Sequence, residues 1–262
     1  MFASKTMKVA AKELIQFFGS PIGYLFLLAF LGFTLFVFFW GEAFFARNIL
    51  DVRPMFEWMP VLLIFLSSAL TMRMWSEERR SGTQEFLLTL PATTSELVVG
   101  KFLACWTLLG IALLLTLPLP LTLANVDSSV MGLDWGPILA GYVAAILLGA
   151  SYIAVGLFVS ARSDNQIVAL ILASLACGSF YLIGSPFLLD LVDNNSANIL
   201  RMLGSGSRFE SITRGMLDFR DLYFYVSIAA GFLALNVYAL DRQGWSEMRN
   251  RSVIAGREPC WG

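Results

Sequence analysis

The sequence predicts an all-α integral membrane protein, in which six transmembrane helices follow an amphipathic interfacial helix at the N-terminus. Hydrophobic residues make up 57% of the chain and charged residues only 14%, whereas about a quarter of an ordinary soluble domain is charged. A compact chain of 262 residues with so little charge cannot coat its surface for water. The apolar residues also lie in long continuous runs, which is the pattern of membrane spans.

The apolar runs set the number and bounds of the predicted spans. A helix needs about 20 residues to cross about 30 Å of hydrocarbon, whereas the strands of a β-barrel would alternate polar and apolar residues. The second run is short, and Pro118 and Pro120 are expected to kink or end the third. One transmembrane domain is predicted over residues 20–240, with spans at about 21–40, 57–75, 97–124, 137–161, 166–189 and 222–240.

Residues 1–19 are predicted to form an amphipathic helix that leads into the first span. Helical spacing gives this segment an apolar face and a basic face. Such a helix lies flat in the membrane interface, although the same lysines also fit a simple positive flank of the first span. The apolar face comprises Met7, Ala11, Leu14 and Phe18, and the basic face comprises Lys5, Lys8 and Lys12.

The distribution of basic residues predicts the orientation of the chain. Twelve of the 18 Lys and Arg residues lie in segments on the side of the two termini, and six lie on the other side. Because cytoplasmic loops carry the excess of basic residues, both termini are expected to be cytoplasmic. Lys101 counts here as a basic residue of the loop between the second and third spans. The tail, residues 241–262, is expected in the cytoplasm and gives no functional signal.

The residue types exclude most catalytic chemistry. The chain has no histidine and only three cysteines, so His-based catalysis, His metal sites and a disulfide framework are excluded. It also has no phosphate-binding loop, because Gly100-Lys101 is followed by Phe102. We therefore predict no catalytic residue, cofactor or metal site in this chain, and any ATP-driven step would need another subunit.

Ionisable residues are scarce in the spans, which argues against an ion pump or a secondary transporter. Polar side chains in the spans are expected to serve hydrogen bonds between helices and close packing, and three glycines are also expected to allow close helix packing. The polar residues are Thr34, Ser67, Ser68, Thr71, Ser151, Ser174, Ser179 and Asn236, and the glycines are Gly141, Gly149 and Gly156.

The segment 77–91, between the second and third spans, is predicted to dock onto a surface. Gly82 breaks the helix that continues from the second span, and Pro91 stops the two helical turns that follow. The segment has too many apolar residues for a free loop in water, so it needs either the lipid surface or a groove on another protein. These apolar residues are Phe86, Leu87, Leu88, Leu90 and Pro91.

The long outer segment, residues 190–221, is predicted to contain a second amphipathic helix over 208–219. Its charged face has residues four apart that can pair along the helix. This helix is expected on, or re-entering, the outer interface, and its charged face is either simply solvated or forms a gate or a partner contact. The apolar face comprises Phe209, Ile212, Met216 and Phe219, and the charged face comprises Glu210, Arg214 and Asp218.

The block Ser76–Leu103, SEERRSGTQEFLLTLPATTSELVVGKFL, resembles the membrane subunit of type-2 ABC exporters. Three further stretches agree in the same order along the chain: Ser20–Tyr24, Ala69–Arg73 and Ser207–Asp221. The last of these is similar to the gliding-motility (GldF-like) permease branch in particular. The resemblance covers nearly the whole chain.

This resemblance implies a permease that works as a dimer of two six-helix halves in a bacterial inner membrane. Residues 77–91 would be the coupling helix, seated in a cleft of a cytoplasmic ABC ATPase subunit that binds ATP and Mg. The turn 162–165 would form a second, smaller contact with the same subunit. The coupling residues would be Glu77, Glu78, Arg79, Arg80, Gly82, Thr83, Glu85, Phe86, Leu87, Leu88, Arg162 and Asp164.

The outer segment would be, by the same resemblance, an extracytoplasmic helical hairpin near the exit. Gliding-type permeases also pair with a membrane-anchored extracytoplasmic auxiliary subunit. The gate or partner contact would then involve Phe209, Glu210, Arg214 and Asp218.

Two functions from different classes share these features. The first is the permease subunit of an ATP-driven ABC transporter, which couples hydrolysis by a separate nucleotide-binding subunit to export of a substrate. The second is a non-transporting membrane scaffold that transmits an ATP-driven movement to an extracytoplasmic partner. A membrane-embedded enzyme is disfavoured, because the chain has no histidine and its spans hold no paired carboxylates. The sequence does not specify the substrate, or whether the second half is another copy or a sister permease.

Overall fold

The computed structural model describes residues 2–41, 52–82, 93–126, 135–185, 188, 204–215 and 218–255. The regular structure in these ranges is helical, and a π-helical turn at Val37–Gly41 extends the second helix. The α-helices are α1 Phe2–Gly19, α2 Pro21–Phe36, α3 Arg53–Glu57, α4 Met59–Arg80, α5 Thr94–Leu114, α6 Pro118–Val126, α7 Trp135–Ser160, α8 Gln166–Ile183, α9 Ser205–Thr213 and α10 Phe219–Ala255.

Six of the described helical segments are long and apolar enough to cross a membrane. This confirms the predicted all-helical fold with six long apolar helices. Their bounds are Pro21–Trp40, Met59–Arg80, Thr94–Leu123, Trp135–Ser160, Gln166–Ile183 and Phe219–Arg242.

Helix α7 lies at the centre of the bundle and packs against α4, α5, α8, α9 and α10. Its three predicted packing glycines each face a side chain of a neighbouring helix. A Cβ atom on Gly156 would lie 2.1 Å from the Thr71 hydroxyl, and one on Gly149 would lie 2.2 Å from a Leu109 methyl group. The prediction of close packing is therefore confirmed, because α4 and α5 approach α7 closely at positions where it lacks side chains.

Most polar side chains in the spans bond within their own helix, so bonds between helices are fewer than predicted. Close packing is confirmed at Thr71, which lies against Gly156 of α7. Thr34, Ser68 and Thr71 each donate to a carbonyl four residues earlier in the same helix. That carbonyl lies within reach of any Ser or Thr hydroxyl on a helix, without help from a second helix. Ser151 does bond between helices, because its hydroxyl donates to the Tyr225 carbonyl of α10 at 3.0 Å.

The third span is interrupted near its end, as the prolines predict. Helix α5 ends at Leu114 and α6 begins at Pro118, with a turn between them. The Pro118 nitrogen has no hydrogen to donate, so a continuous helix would lose a bond at this point. The Thr116 hydroxyl lies in the turn and hydrogen-bonds with the Tyr142 hydroxyl of α7 at 2.9 Å.

Helix α1 has three faces rather than the two that its sequence suggests. Thr6 and Glu13 are buried and Val9 is half-buried along a side that packs on α5, where a Cβ on Gly100 would meet Val9 at 2.6 Å. The N-terminal end of the predicted apolar face does not pack on the bundle, since Met7 is 63% exposed. Leu14 and Phe18 of the same face are half-buried against the core, so only part of that face is open to lipid.

Candidate functional site

The predicted docking segment begins inside a long helix. Glu77, Glu78, Arg79 and Arg80 form the last turn of α4 rather than the start of a separate helix at 77, which corrects the predicted bounds. Gly82 then takes a positive φ of 71°, a conformation that favours glycine, and so ends the helix as predicted.

The remaining coupling residues of this segment lie outside the residues that the structure describes. They are Thr83, Glu85, Phe86, Leu87 and Leu88.

The end of α4 is joined to the turn between α7 and α8. The Arg79 Nε lies 2.7 Å from the Asp164 carboxylate, and Arg79 Nη1 donates to the Ala161 carbonyl at 3.1 Å. The structure thus brings together two residues from the two predicted docking elements. Arg162, in the same turn, places its guanidinium 4.4 Å from the centre of the Phe158 ring and is exposed.

The start of α5 is fixed by a capping box. The Thr93 hydroxyl accepts from the Glu96 backbone amide at 3.3 Å, and the Glu96 carboxylate accepts from the Thr93 amide at 3.0 Å. These two bonds satisfy amides that would otherwise lack partners at a helix start. The box fixes the point at which the chain returns from the docking segment to the membrane.

Lys101 forms an ion cluster between three helices. Its ammonium lies 2.6 Å from the Glu78 carboxylate of α4 and 3.2 Å from the Glu13 carboxylate of α1. It also donates to the Met74 carbonyl at 3.0 Å and lies 4.9 Å from the centre of the Trp75 ring. We call these five residues the Lys101 cluster.

Counting Lys101 as a loop cation is therefore wrong. Its side chain is only 2% exposed, and it lies seven residues, or about 10 Å, inside the start of α5. An ammonium at this depth needs charged and hydrogen-bonding partners to offset the lost hydration, and the Lys101 cluster supplies them.

A cleft of about 110 Å³ separates α1 from α4 next to the Lys101 cluster. Gln16 and Ser20 line its α1 side, and Arg73 and Glu77 line its α4 side. Arg73 pairs with Glu77 along α4 at 2.7 Å. The cleft is therefore lined by both polar and apolar side chains, among them Phe17 and Ile22, and Lys101 lies at its edge.

At the opposite end of the bundle, the predicted helix over 208–219 is two elements. Helix α9 ends at Thr213, Gly215 takes a positive φ of 91°, and α10 starts at Phe219. Phe209 and Ile212 are buried as the apolar face predicts, but Phe219 is 85% exposed. Met216, the fourth member of the predicted apolar face, lies outside the described residues.

The predicted charged face is correct for one pair only. Glu210 and Arg214 form an ion pair one helical turn apart, which confirms that part of the prediction. Asp218 does not continue this face. Its carboxylate accepts from the Arg220 amide at 3.0 Å and so caps the start of α10.

Helix α9 is anchored to the bundle by buried polar groups that sequence reasoning did not identify. The Tyr225 hydroxyl donates to the Ser205 carbonyl at 2.7 Å, and the Tyr152 hydroxyl hydrogen-bonds with the Ser205 hydroxyl at 3.1 Å. Arg208 pairs with Asp221 of α10 at 2.5 Å. Since α7 and α10 both bond to α9, this short helix is held at the end of the bundle.

A wider cavity of about 420 Å³ opens beside α9. Its lining includes two acidic and two basic side chains, together with Tyr181 and Ser185 of the α8 end. The charged residues are Arg53, Glu57, Glu210 and Arg214.

A comparison with protein-family models matches residues 4–243 to the ABC-2 family transporter protein model. The chain belongs to the ABC-2 transporter family. A search of curated proteins gives no match. The match extends from α1 to the end of the sixth span, so it includes both the Lys101 cluster and helix α9.

The family assignment gives the chain its role as the membrane-spanning permease subunit of an ABC transporter. Membrane subunits of ABC-2 transporters lack ATPase activity, and an ATPase partner supplies it. This agrees with the sequence, which has no phosphate-binding loop. The ABC-2 permease therefore needs a surface that contacts the ATPase and a helix bundle that changes its packing in response.

Proposed function

We propose that this ABC-2 permease is one half of an exporter in a bacterial inner membrane, and that its ATPase subunit docks on the end of α4, residues 83–91 and the turn 162–165. The observation that carries this proposal is the ion pair between Arg79 and Asp164. It joins the two segments that the sequence indicates as contacts, so one ATPase subunit can reach both. Here ATP hydrolysis in the partner drives substrate across the membrane by switching the helix bundle between two packings.

Several contacts support an orientation in which both termini are cytoplasmic, on the side of the docking surface. Helix α1 packs on the first turns of α5, next to the end of α4. Near the end of the sixth span, Asp241 accepts a hydrogen bond from the Thr94 hydroxyl at 2.6 Å. Removing buried Lys101 from the charge count still leaves eleven basic residues on this side against six on the other.

A second permease half is needed to enclose a path. Helices α2, α8 and α10 keep large apolar side chains exposed in the single chain, among them Leu28, Ile171 and Tyr223. These surfaces suit lipid and a neighbouring permease, which is either a second copy or a sister chain. Since the described spans are largely apolar, we propose a lipidic, amphiphilic or polymeric substrate rather than a small ion.

On the outer side, we propose that Glu210, Arg214 and Asp218 form a gate or a partner contact. All three are exposed, whereas Phe209 packs inside the bundle and holds α9 in place. The resemblance to gliding-type permeases makes a membrane-anchored auxiliary subunit the proposed partner. Glu210→Ala is expected to preserve assembly and to lower the ATPase rate of the reconstituted complex. An unchanged rate would leave α9 with a structural role only.

The docking proposal is tested by purifying the tagged permease from its native membrane in mild detergent and identifying the co-purifying proteins by mass spectrometry. Leu88→Asp is expected to abolish recovery of the ATPase while membrane insertion persists, because it places a charge in an apolar contact. Thr89→Asp adds the same charge at a polar neighbour and is expected to retain the ATPase. Equal recovery with both variants would contradict docking through residues 83–91.

The orientation is tested with single cysteines in a background without Cys105, Cys177 and Cys260. The two labelling sites are Ser81→Cys and Arg220→Cys. Ser81 and Arg220 are both exposed and lie at opposite ends of the bundle. In intact cells whose outer barrier is permeable to the reagent, an impermeant maleimide is expected to label Arg220→Cys and not Ser81→Cys. The reverse pattern would overturn the proposed orientation.

A further inference from the structure

A cleft of about 110 Å³ lies between the last turns of the described helices α1 and α4. Helix α1 packs chiefly on α5, and α5 in turn packs far more on α1 and α7 than on α4. The Lys101 cluster is therefore the principal polar connection between α4 and the pair formed by α1 and α5. Helix α4 also packs on α7 and α2, which contact α5, so the Lys101 ammonium adds a direct ionic link to this apolar packing.

The Lys101 cluster has two acidic side chains, Glu13 and Glu78, and one buried basic side chain. Lys101 can therefore pair with both acids or with Glu78 alone. Lys101 is closer to Glu78 than to Glu13 in this structure, at 2.6 Å against 3.2 Å. Glu13 also has a second cation within reach, because the ammonium of Lys12 lies 3.6 Å away and is 62% exposed. Glu13 can exchange Lys101 for Lys12 without losing an ionic partner.

We propose that Lys101 is the positioning residue that makes α1 and α5 follow the end of α4 when the ATPase acts on it. This inference rests on the proposed docking of the ATPase at the segment after α4. When α4 moves, its Glu78 pulls on Lys101 and thereby on α5. When the ATPase acts, Glu13 stays with Lys101 and α1 follows. In the other arrangement Glu13 turns to Lys12 and α1 is released, so the cluster has two discrete states rather than a continuous range.

The experiment uses the permease reconstituted with its ATPase in lipid nanodiscs, with one spin label per sample. A label at Ser81→Cys reports on the end of α4, and a label at Ile15→Cys reports on the exposed face of α1. Spectra are compared without nucleotide and after trapping with ATP and vanadate. In the otherwise native permease, both labels are expected to shift on trapping.

Glu13→Gln removes the ionic link from α1 and leaves the pair between Lys101 and Glu78. In this variant the shift at Ser81→Cys is expected to persist, while the shift at Ile15→Cys falls about fivefold or more. The matched control is Lys8→Gln, which changes the charge of the same helix outside the Lys101 cluster and is expected to keep both shifts. A purely structural role for the cluster would change both labels together or neither.

Two further variants keep the test decisive if Glu13→Gln folds poorly. Lys101→Arg retains a cation and is expected to keep both shifts. The neutral combination of Glu13→Gln, Glu78→Gln and Lys101→Met removes all three charges at similar volume, so folding is expected to survive while the Ile15→Cys shift is lost. Native shifts at Ile15→Cys in that combination would overturn the inference.

The same data separate this inference from the docking proposal. If the ATPase does not bind the native permease, or binds and leaves the Ser81→Cys spectrum unchanged, the docking at α4 is wrong. If Ser81→Cys shifts and Ile15→Cys does not shift in the native permease, docking stands and transmission through Lys101 is wrong.

Discussion

Arg79 and Asp164 lie 2.7 Å apart although 85 residues separate them in the chain. Their ion pair connects the end of the second span to the turn between the fourth and fifth spans. Arg79 also donates to the Ala161 carbonyl, so it fixes both ends of this short connection. The two segments therefore form one surface at this end of the bundle, and we expect them to move together.

We expect the ion pair between Arg79 and Asp164 to affect binding of the ATPase more measurably than the stability of the fold. Asp164 is 76% exposed, and an exposed pair contributes about 0.5 kcal/mol to the free energy of unfolding. Asp164→Asn should therefore lower the melting temperature little. It should weaken binding of the ATPase about twofold, the factor that corresponds to about 0.5 kcal/mol, because the two segments lose their alignment. Binding of purified ATPase to the permease in nanodiscs measures this effect. Arg73→Gln, which breaks a pair within α4, is the control, and equal weakening by both variants would contradict the alignment argument.

Much of the fold could be predicted from the sequence because its signals are local. Continuous apolar runs specify spans without knowledge of their neighbours, and Pro118 marks an interruption wherever the helix lies. The glycines of α7 also carry their own signal, since a missing side chain permits close approach. Gly82 ends its helix as expected because glycine adopts a positive φ at little cost.

The Lys101 cluster could not be predicted in this way. Its acidic members are 88 and 23 residues from Lys101 in the chain, so no spacing rule for one helix connects them. The prediction of one continuous helix over 208–219 is wrong for a different reason. Its apolar period continues through Gly215, but the positive φ at that residue redirects the chain before Phe219. A periodic pattern reflects only the types of side chain along the helix, so it does not reveal a turn in the backbone.

The contact between α4 and α7 gives a prediction for stability. Gly156→Ala would place a methyl group 2.1 Å from the Thr71 hydroxyl, and such overpacking costs about 1–3 kcal/mol. Gly178→Ala is the matched control on α8, because nothing in the described structure lies within 4 Å of its added Cβ. The melting temperature in detergent should fall for Gly156→Ala and stay the same or rise for Gly178→Ala. A neutral Gly156→Ala would mean that α4 and α7 are less closely packed than described.

The capping box at the start of α5 predicts a smaller loss. Thr93→Ala removes the hydroxyl that accepts from the Glu96 amide, which costs about 1 kcal/mol and lowers the melting temperature by about 2–4 °C. Thr93→Ser keeps the acceptor and should restore native stability. Thr107→Ala serves as the control, because the Thr107 hydroxyl is exposed and only donates to a carbonyl of its own helix. A loss with Thr107→Ala as large as that with Thr93→Ala would argue against the cap.

Helix α9 should depend more on its buried anchors than on its exposed ion pair. Tyr225→Phe removes only the hydroxyl that donates to the Ser205 carbonyl. A buried hydrogen bond contributes about 1 kcal/mol, so hydrogen exchange of the α9 amides should become about fivefold faster while the other described helices keep their protection.

Glu210→Gln removes the exposed pair with Arg214, which contributes about 0.5 kcal/mol or less. It should change the exchange of the α9 amides by less than about twofold. Both variants are measured by hydrogen exchange and mass spectrometry in nanodiscs. Faster exchange with Glu210→Gln than with Tyr225→Phe would mean that α9 is held by its surface charges rather than by the buried hydrogen bond of Tyr225.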